Sequence, residues 1–299
     1  MQKAPPNPYR IKQITEKIMG LPTLPTVVSK MIELVDNPKT SAASLANLIS
    51  TDQALTARIL KLANSAYYGF SREIYTVNMA IVVMGFNAVK EMGLSLSVFD
   101  VFKDLSTIRH FDVTQYWQHS IGCGVAAKMM ARRYQYRIAG EAFVAGLLHD
   151  IGKIVVNQYL PKEFVEIMNR VADSNESLDD AETAVLGTQH GQIGSWLVDR
   201  WRLPVIISES IRHHHTPWEA RKNPLLVAIV NTANYLVHIA GVGNSGRPVP
   251  LDIDEQTWEI FNNHNIPIGL EDIVNLQTDF LLEFDKTESM TSFLYKETE

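Results

Sequence analysis

Residues 146–155, GLLHDIGKIV, place His149, Asp150 and Lys153 inside an otherwise apolar segment. An imidazole nitrogen beside a carboxylate oxygen suits a divalent ion, with Fe, Mn, Zn and Mg all candidates and geometry deciding among them. On one helix, adjacent residues diverge by about 100°, so His149 and Asp150 can bracket an ion only from the helix edge. Other elements must then bring further ligands. A plainer reading stands beside this one: Asp150 and Lys153, three residues apart, form a helix ion pair worth about 0.2–0.5 kcal/mol.

The chain holds nine histidines. His119 lies in YWQHSIGCGVAAKMM, where a helix puts Gly122, Cys123, Ala126 and Met130 on its face. His190 lies in TQHGQIGSWLVDRW and shares a face with Ile193, Gly194 and Leu197. A lone histidine on an apolar face is ordinarily a satisfied core residue. Two such helices and a His-Asp pair change that weighing, because burying several imidazoles without a shared partner is costly. The run His213–His214–His215 follows the apolar segment LPVIISESIR. Adjacent side chains cannot all face one way, so at most two of the three can line a common site. The run equally suits a polar helix end, where a charged imidazole complements the helix dipole. His110, His238 and His264 have no comparable context and read as ordinary. Cys123 sits one turn from His119 in an apolar setting that raises a thiol pKa, which argues against a Cys–His nucleophile. No G-x-S-x-G elbow, P-loop or G-x-G-x-x-G is present.

The elements that must position these residues are helical. LPTLP at 21–25 is extended by its prolines, and PTVVSKMIELVDNP reads as a helix ending before Pro38. SAASLANLIS opens with cap-type serines. QALTARILKLANSA sets Leu55, Ile59 and Leu62 on one face. TVNMAIVVMG and NAVKEMGLSLSVFDVF follow, broken at Gly85. The polar stretch 103–112 marks a boundary, and beyond it helical patterns run over 113–134, 140–156, 161–173, 178–200, 204–214, 223–239 and about 253–285. DSNESLDD reads as a cap-rich turn and GVGNSGRPVP, 241–250, as an exposed loop. The expected organisation is all-α: a flexible leader over 1–10, an N-terminal helical subdomain over 11–105, a second helical subdomain over 106–285, and a polar tail over 286–299.

Composition bounds the function. With 46% hydrophobic and 20% charged residues among 299, the chain can bury a sizeable core. A net charge of −6 argues against a nucleic-acid footprint. Arg132–Arg133 and Arg221–Lys222 read as solvated helix ends. One cysteine permits no internal disulfide, so a reducing cytoplasm is the expected compartment. No run approaches about 18 apolar residues, so no membrane span is expected.

Taken in order, His119 and the His149–Asp150 dyad resemble the ligand set of the HD superfamily. The wider layout is similar to the HDOD family, the HD-related output domain of bacterial signalling proteins. The stretches that carry the likeness are LPTLPTVVSKMIELV, STDQALTARILKLANSAYYG, TVNMAIVVMGF, YWQHS, EAFVAGLLHDIGK and QHGQIGSWLVDRWRLPVIISESIRHHHTP. The resemblance implies an all-helical fold, with the N-terminal subdomain packed on an HD-like bundle. It implies a metal at His119, His149 and Asp150, with the distal carboxylate of active HD enzymes matched only by Asn234, which offers a carbonyl oxygen but no charge. His190, His214 and His215 match the second-metal histidines of the HD-GYP branch, which hydrolyses cyclic-di-GMP. The GYP loop is absent, and TPWEARKNP stands in its place.

The resemblance therefore implies an output protein that acts through contacts with an unidentified signalling partner and has little or no hydrolase activity. The alternative is a metal-dependent phosphohydrolase, in which a metal-bound water attacks a phosphoester and Lys153 neutralises phosphate charge. Fe or Mn is expected ahead of Zn or Mg.

Overall fold

The computed structural model describes residues 14–16, 20, 27, 29–31, 41–64, 73–102, 108, 110–136, 139–174, 176–247 and 252–285. The leader, the LPTLP segment, most of the helix read before Pro38, and the polar tail lie outside these residues, as does the side chain of Leu62. Every named element among the described residues is helical, and the one pairing of strand type is an isolated bridge between Ile108 and Phe111. No single helix among them is long and apolar enough to cross a membrane.

The chain divides into two compact units, one built around 22–103 and the other around 104–281. The first holds α1 (Ala42–Ser50), α2 (Gln53–Ala63), α3 (Val77–Met84) and α4 (Phe86–Val101). Short polar residues start three of these helices. Ser41 caps α1 by accepting from Ser44 N–H, Asp52 accepts from Leu55 N–H at the head of α2, and Thr76 caps α3 by accepting from Met79 N–H. Gly85 breaks α3 from α4. Leu45, Ile49, Ile59, Ala80 and Ile81 form the interior where α1 packs on α3 and α2 packs on α4. Tyr75 (71% exposed) and Val82 (79%) instead face solvent.

The second unit holds α5 (Val113–Arg133), α6 (Ala139–Leu148), α7 (Ile151–Tyr159), α8 (Pro161–Ser174), α9 (Leu178–Leu186), α10 (His190–Arg200) and α11 (Val205–His213). A 3-10 turn, α12 (Pro224–Ile239), α13 (Glu255–Asn263) and α14 (Leu270–Asp285, through Leu281) complete it. The long helix α5 packs on α6 and α12, and α10 packs on α7 and α11. Tyr116, Trp117, Ile121, Ala126 and Met130 bury the inner face of α5.

Three of the expected helices are each two. The pattern over 140–156 is interrupted at His149–Asp150, where Asp150 has φ −99° and ψ 8°. The pattern over 178–200 stops at Gly187, whose left-handed φ of +75° ends α9 at little steric cost. The last helical part turns between Asn263 and Leu270. Apolar spacing ran through all three breaks because both sides of each turn face the same core. Arg221 and Lys222 lie in a bend and not at a helix end. The Glu209 carboxylate accepts hydrogen bonds from the backbone N–H groups of Arg221, Lys222 and Asn223.

Candidate metal centre

Four places in the second unit converge on one carboxylate. His119 lies in the second turn of α5, whose start is capped by Asp112 accepting from Gln115 N–H. His149 and Asp150 occupy the junction between α6 and α7, with Lys153 in the first turn of α7. His190 begins α10, and His214 caps the end of α11 with His215 next to it. His119, His149, Asp150, Lys153, His190 and His214 are each at most 2% exposed.

The dyad was expected on a continuous helix, where its two side chains would diverge. The break at the junction removes that constraint, and His149 Nε2 lies 3.3 Å from Asp150 Oδ2. The same oxygen accepts from Lys153 Nζ at 2.7 Å and lies 4.0 Å from His119 Nε2. Asp150 Oδ1 faces a different pair: His190 Nε2 at 3.2 Å and His214 Nε2 at 3.6 Å, themselves 3.2 Å apart. His215 offers a ligand atom within 4.8 Å of those of Asp150, His190 and His214. His213 turns away and pairs with Glu219 at 3.3 Å.

The far nitrogens of three of these histidines are anchored, while His119 Nδ1 is buried without a partner. His149 Nδ1 is 2.7 Å from Gly146 O, His214 Nδ1 is 2.7 Å from Ile211 O, and His190 Nδ1 is 2.7 Å from Glu182 Oε2. A donor anchored at Nδ1 fixes the tautomer and turns the Nε2 lone pair inward, as for metal-binding histidines with outer partners. Two of the inward atoms, His149 Nε2 and Asp150 Oδ1, are buried and make no aligned hydrogen bond within the protein. Leaving such groups unsatisfied costs about 1–3 kcal/mol each. Ligands around a first-row ion with bonds of about 2.0–2.2 Å sit roughly 3.0–3.6 Å from one another, the spacing of the Asp150, His190 and His214 atoms. The residues therefore fit a divalent metal.

The electrostatics suit the same reading. Burial alone would raise the Asp150 pKa, but His149 and Lys153 hold it well below the usual carboxylate range. Burial lowers His214 to about 4 and, with neighbouring rings, pushes His119 and His215 well below the ordinary imidazole value. These imidazoles are thus unprotonated at neutral pH. His190 is the exception. Burial disfavours its charge, yet the Glu182 carboxylate overrides that and raises the pKa to about 9. A metal at His190 Nε2 takes the place of that proton. With Glu182→Gln, burial acts against the charge with its main opponent removed, so the His190 pKa falls from about 9. Histidine proton resonances followed through a pH titration of the metal-free protein check this, and a His190 pKa still near 9 would refute it.

Several residues at the centre had escaped the sequence reading. Glu182 also accepts the His190 backbone N–H at 2.9 Å. Its signal was a carboxylate set among Leu178, Ala181 and Val185 on one buried helix face. His238, read as ordinary, packs against His119 with ring centroids 4.7 Å apart and the rings tilted by 50°. GVGNSGRPVP, read as an exposed loop, buries Ser245 and Arg247, while 248–250 lie outside the described residues. Ser245 Oγ accepts from Lys153 Nζ at 3.1 Å. Arg247 Nη2 donates to Asp179 Oδ2 at 3.0 Å and lies 3.2 Å from His215 Nε2. The structure places Asn234 against Cys123, with Oδ1 3.9 Å from Sγ, and Cys123 Sγ is 3.5 Å from His119 Nε2.

Comparison with known proteins gives this arrangement a family context. The HDOD domain profile matches residues 21–217. An uncharacterized protein of Treponema pallidum (strain Nichols) is 25% identical over 226 residues, covering 75% of this chain but only 43% of the relative, so the chain spans less than half of that protein's length. The crystal structure of an HDOD domain protein of unknown function from Geobacter sulfurreducens superposes with a TM-score of 0.78 at 26% identity, covering 93% of this chain and 97% of that one. A protein of Marinobacter aquaeolei VT8, provisionally named a signal transduction protein, gives a TM-score of 0.81 at 20% identity over 96% of this chain and 65% of that one. The latter likeness is one of fold.

Proposed function

The chain belongs to the HDOD domain family, and from that premise we propose that it is a signalling output module that acts through protein contacts and carries a buried metal centre with little or no hydrolase activity. One observation carries the reading: the ligand set is complete enough to hold a metal, yet its central groups are buried, with Asp150 and Lys153 at most 2% exposed and His215 half-buried at the edge. A phosphoester must reach the metal and its water, and the burial of Asp150, Lys153, His190 and His214 leaves it little approach. A buried metal instead ties α5, the α6–α7 junction, α10 and the end of α11 together and makes their arrangement depend on occupancy. Tyr75 and Val82, exposed in the first unit, are apolar side chains suited to a partner surface. The partner is an unidentified signalling protein, in keeping with the provisional name of the Marinobacter protein. The histidine and carboxylate set around Asp150 Oδ1 favours Fe or Mn over Zn or Mg.

A second reading, a metal-dependent phosphohydrolase, is favoured by one specific feature. The two oxygens of Asp150 face different histidine sets, which is the arrangement of a carboxylate bridging two ions. In that reading a metal supplies an activated water, and Lys153 steadies phosphate charge.

Elemental analysis of the purified chain, with a nitrophenyl phosphodiester assay, separates the two. The expected result is at least one bound transition metal per chain, lost in Asp150→Ala, with both proteins at the same background rate of hydrolysis. A metal-dependent rate in the wild type that Asp150→Ala abolishes would establish the hydrolase reading. Absence of bound metal under every loading condition would remove the centre from both.

A further inference from the structure

The geometry points to Cys123 as a metal ligand, which makes the His119–His149 side of the centre a sulfur-containing site for a softer ion, Zn2+ or Fe2+, distinct in character from the side facing Asp150 Oδ1. The inference rests on the metal-centre reading above and sharpens it.

Cys123 lies four residues after His119 on α5, so both side chains project from one face of the helix. Sγ is 3.5 Å from His119 Nε2. With a Zn–S bond of about 2.3 Å and a Zn–N bond of about 2.0–2.1 Å, a tetrahedral ion separates sulfur from nitrogen by roughly 3.5 Å. His149 supplies an independent indication. Its ligand atom belongs with those of His119 and Cys123 in a set lying within 4.8 Å of one another. Its Nδ1 is spent on Gly146 O, and its Nε2 is fully buried with no hydrogen-bond partner. Asp150 Oδ2 borders this set of three, 3.3 Å from His149 Nε2 and 4.0 Å from His119 Nε2.

Burial keeps the Cys123 thiol protonated in the metal-free protein. A coordinating thiol gives up its proton to solvent as the metal–sulfur bond forms, so binding releases one proton per sulfur ligand. The charge that Cys123 then carries joins that of Asp150, and the two offset the charge of the ion. Asn234, whose side-chain amide lies beside Sγ, can rotate to offer an N–H to the thiolate. Thiolate ligands select Zn2+ or Fe2+ over the oxygen-seeking Mg2+ and Mn2+. A centre with one sulfur-containing side and one imidazole-carboxylate side would therefore sort two kinds of ion.

Titration of the metal-free full-length chain with Co2+ tests this. The expected result is an intense near-ultraviolet thiolate-to-cobalt charge-transfer band that disappears in Cys123→Ser. Zn2+ affinity should fall roughly tenfold or more in that variant while Mn2+ affinity changes little. Cys123→Ala, compared by thermal melting without metal, shows whether a lost band reflects lost folding. Sulfur in the first coordination sphere of the Zn2+-loaded wild type, seen by X-ray absorption, provides a readout that needs no variant. Cobalt bound with visible d–d bands but no charge-transfer band, or a zinc sphere without sulfur, overturns the role of Cys123 and leaves the metal centre standing. No bound metal at all overturns both.

Discussion

Gly152→Ala will displace α10, strip the centre of His190 and destabilise the second unit by about 3 kcal/mol or more. A methyl group at Gly152 would sit 1.9 Å from His190 O, 2.7 Å from His190 C and 2.8 Å from Gly194 N. These are backbone atoms in the first turn and a half of a helix, so no side-chain rotation relieves the overlap. The helices α7 and α10 must part by an ångström or more. That movement takes His190 Nε2 from Asp150 Oδ1, which it now faces at 3.2 Å. Denaturant unfolding and metal stoichiometry read the two effects separately. Gly140→Ala is the matched control, because a methyl group there meets nothing within 4 Å and alanine favours the helix. It should leave stability unchanged or slightly raised. If Gly152→Ala behaves like Gly140→Ala in both measurements, α7 and α10 do not meet as described.

The same contact shows what the sequence could convey. That the chain is helical was legible, because apolar spacing near 3.6 and cap-type serines such as Ser41 act locally. The residue types in GLLHDIGKIV marked the site for the same reason. The turn at His149–Asp150 was not legible, since Leu147, Leu148, Ile151 and Ile154 all face one core and their spacing passes through the break. Glu182 was hidden differently. It stands eight residues before His190, and only the left-handed turn at Gly187 folds α9 back so that the two meet. Ser245 and Arg247 come from a glycine-rich stretch with no periodicity, so nothing local signals that they are buried. His238 lies on the same helix as Asn234, one turn on, but its contact with His119 is made between α12 and α5. What was missed depends on distant chain segments meeting, and a single sequence carries no record of that.

Acidifying the metal-free protein from pH 7 to pH 5 will destabilise the second unit by several kcal/mol. His214 and His238 have folded pKa values lowered to about 4, by burial first, against an ordinary value of 6.5. A depressed pKa means stability that is present above 6.5 and lost as pH falls toward the folded value, because the unfolded chain takes up protons that the folded one refuses. By pH 5 the two lose about 2 kcal/mol each. His119 and His215, lowered well below 6.5, act in the same direction. The loss is large against a typical domain stability of about 5–15 kcal/mol. His190 has the opposite sign. Its pKa is raised to about 9, so its contribution is full below 6.5 and disappears as pH rises through 9, removing about 2 kcal/mol between pH 7 and 9.5. The metal-free protein should therefore be most stable near pH 7, with a steeper acid limb. A bound metal changes the two limbs unequally. It requires His190 Nε2 without its proton, so the alkaline loss vanishes, while the acid limb remains because protons compete with the ion for every imidazole. Denaturant unfolding at pH 5, 7 and 9.5, with and without metal, measures both limbs. A metal-free protein that gains stability on going from pH 7 to pH 5 would mean that these imidazoles fold in their charged form, which the burial of His119 and His214 opposes.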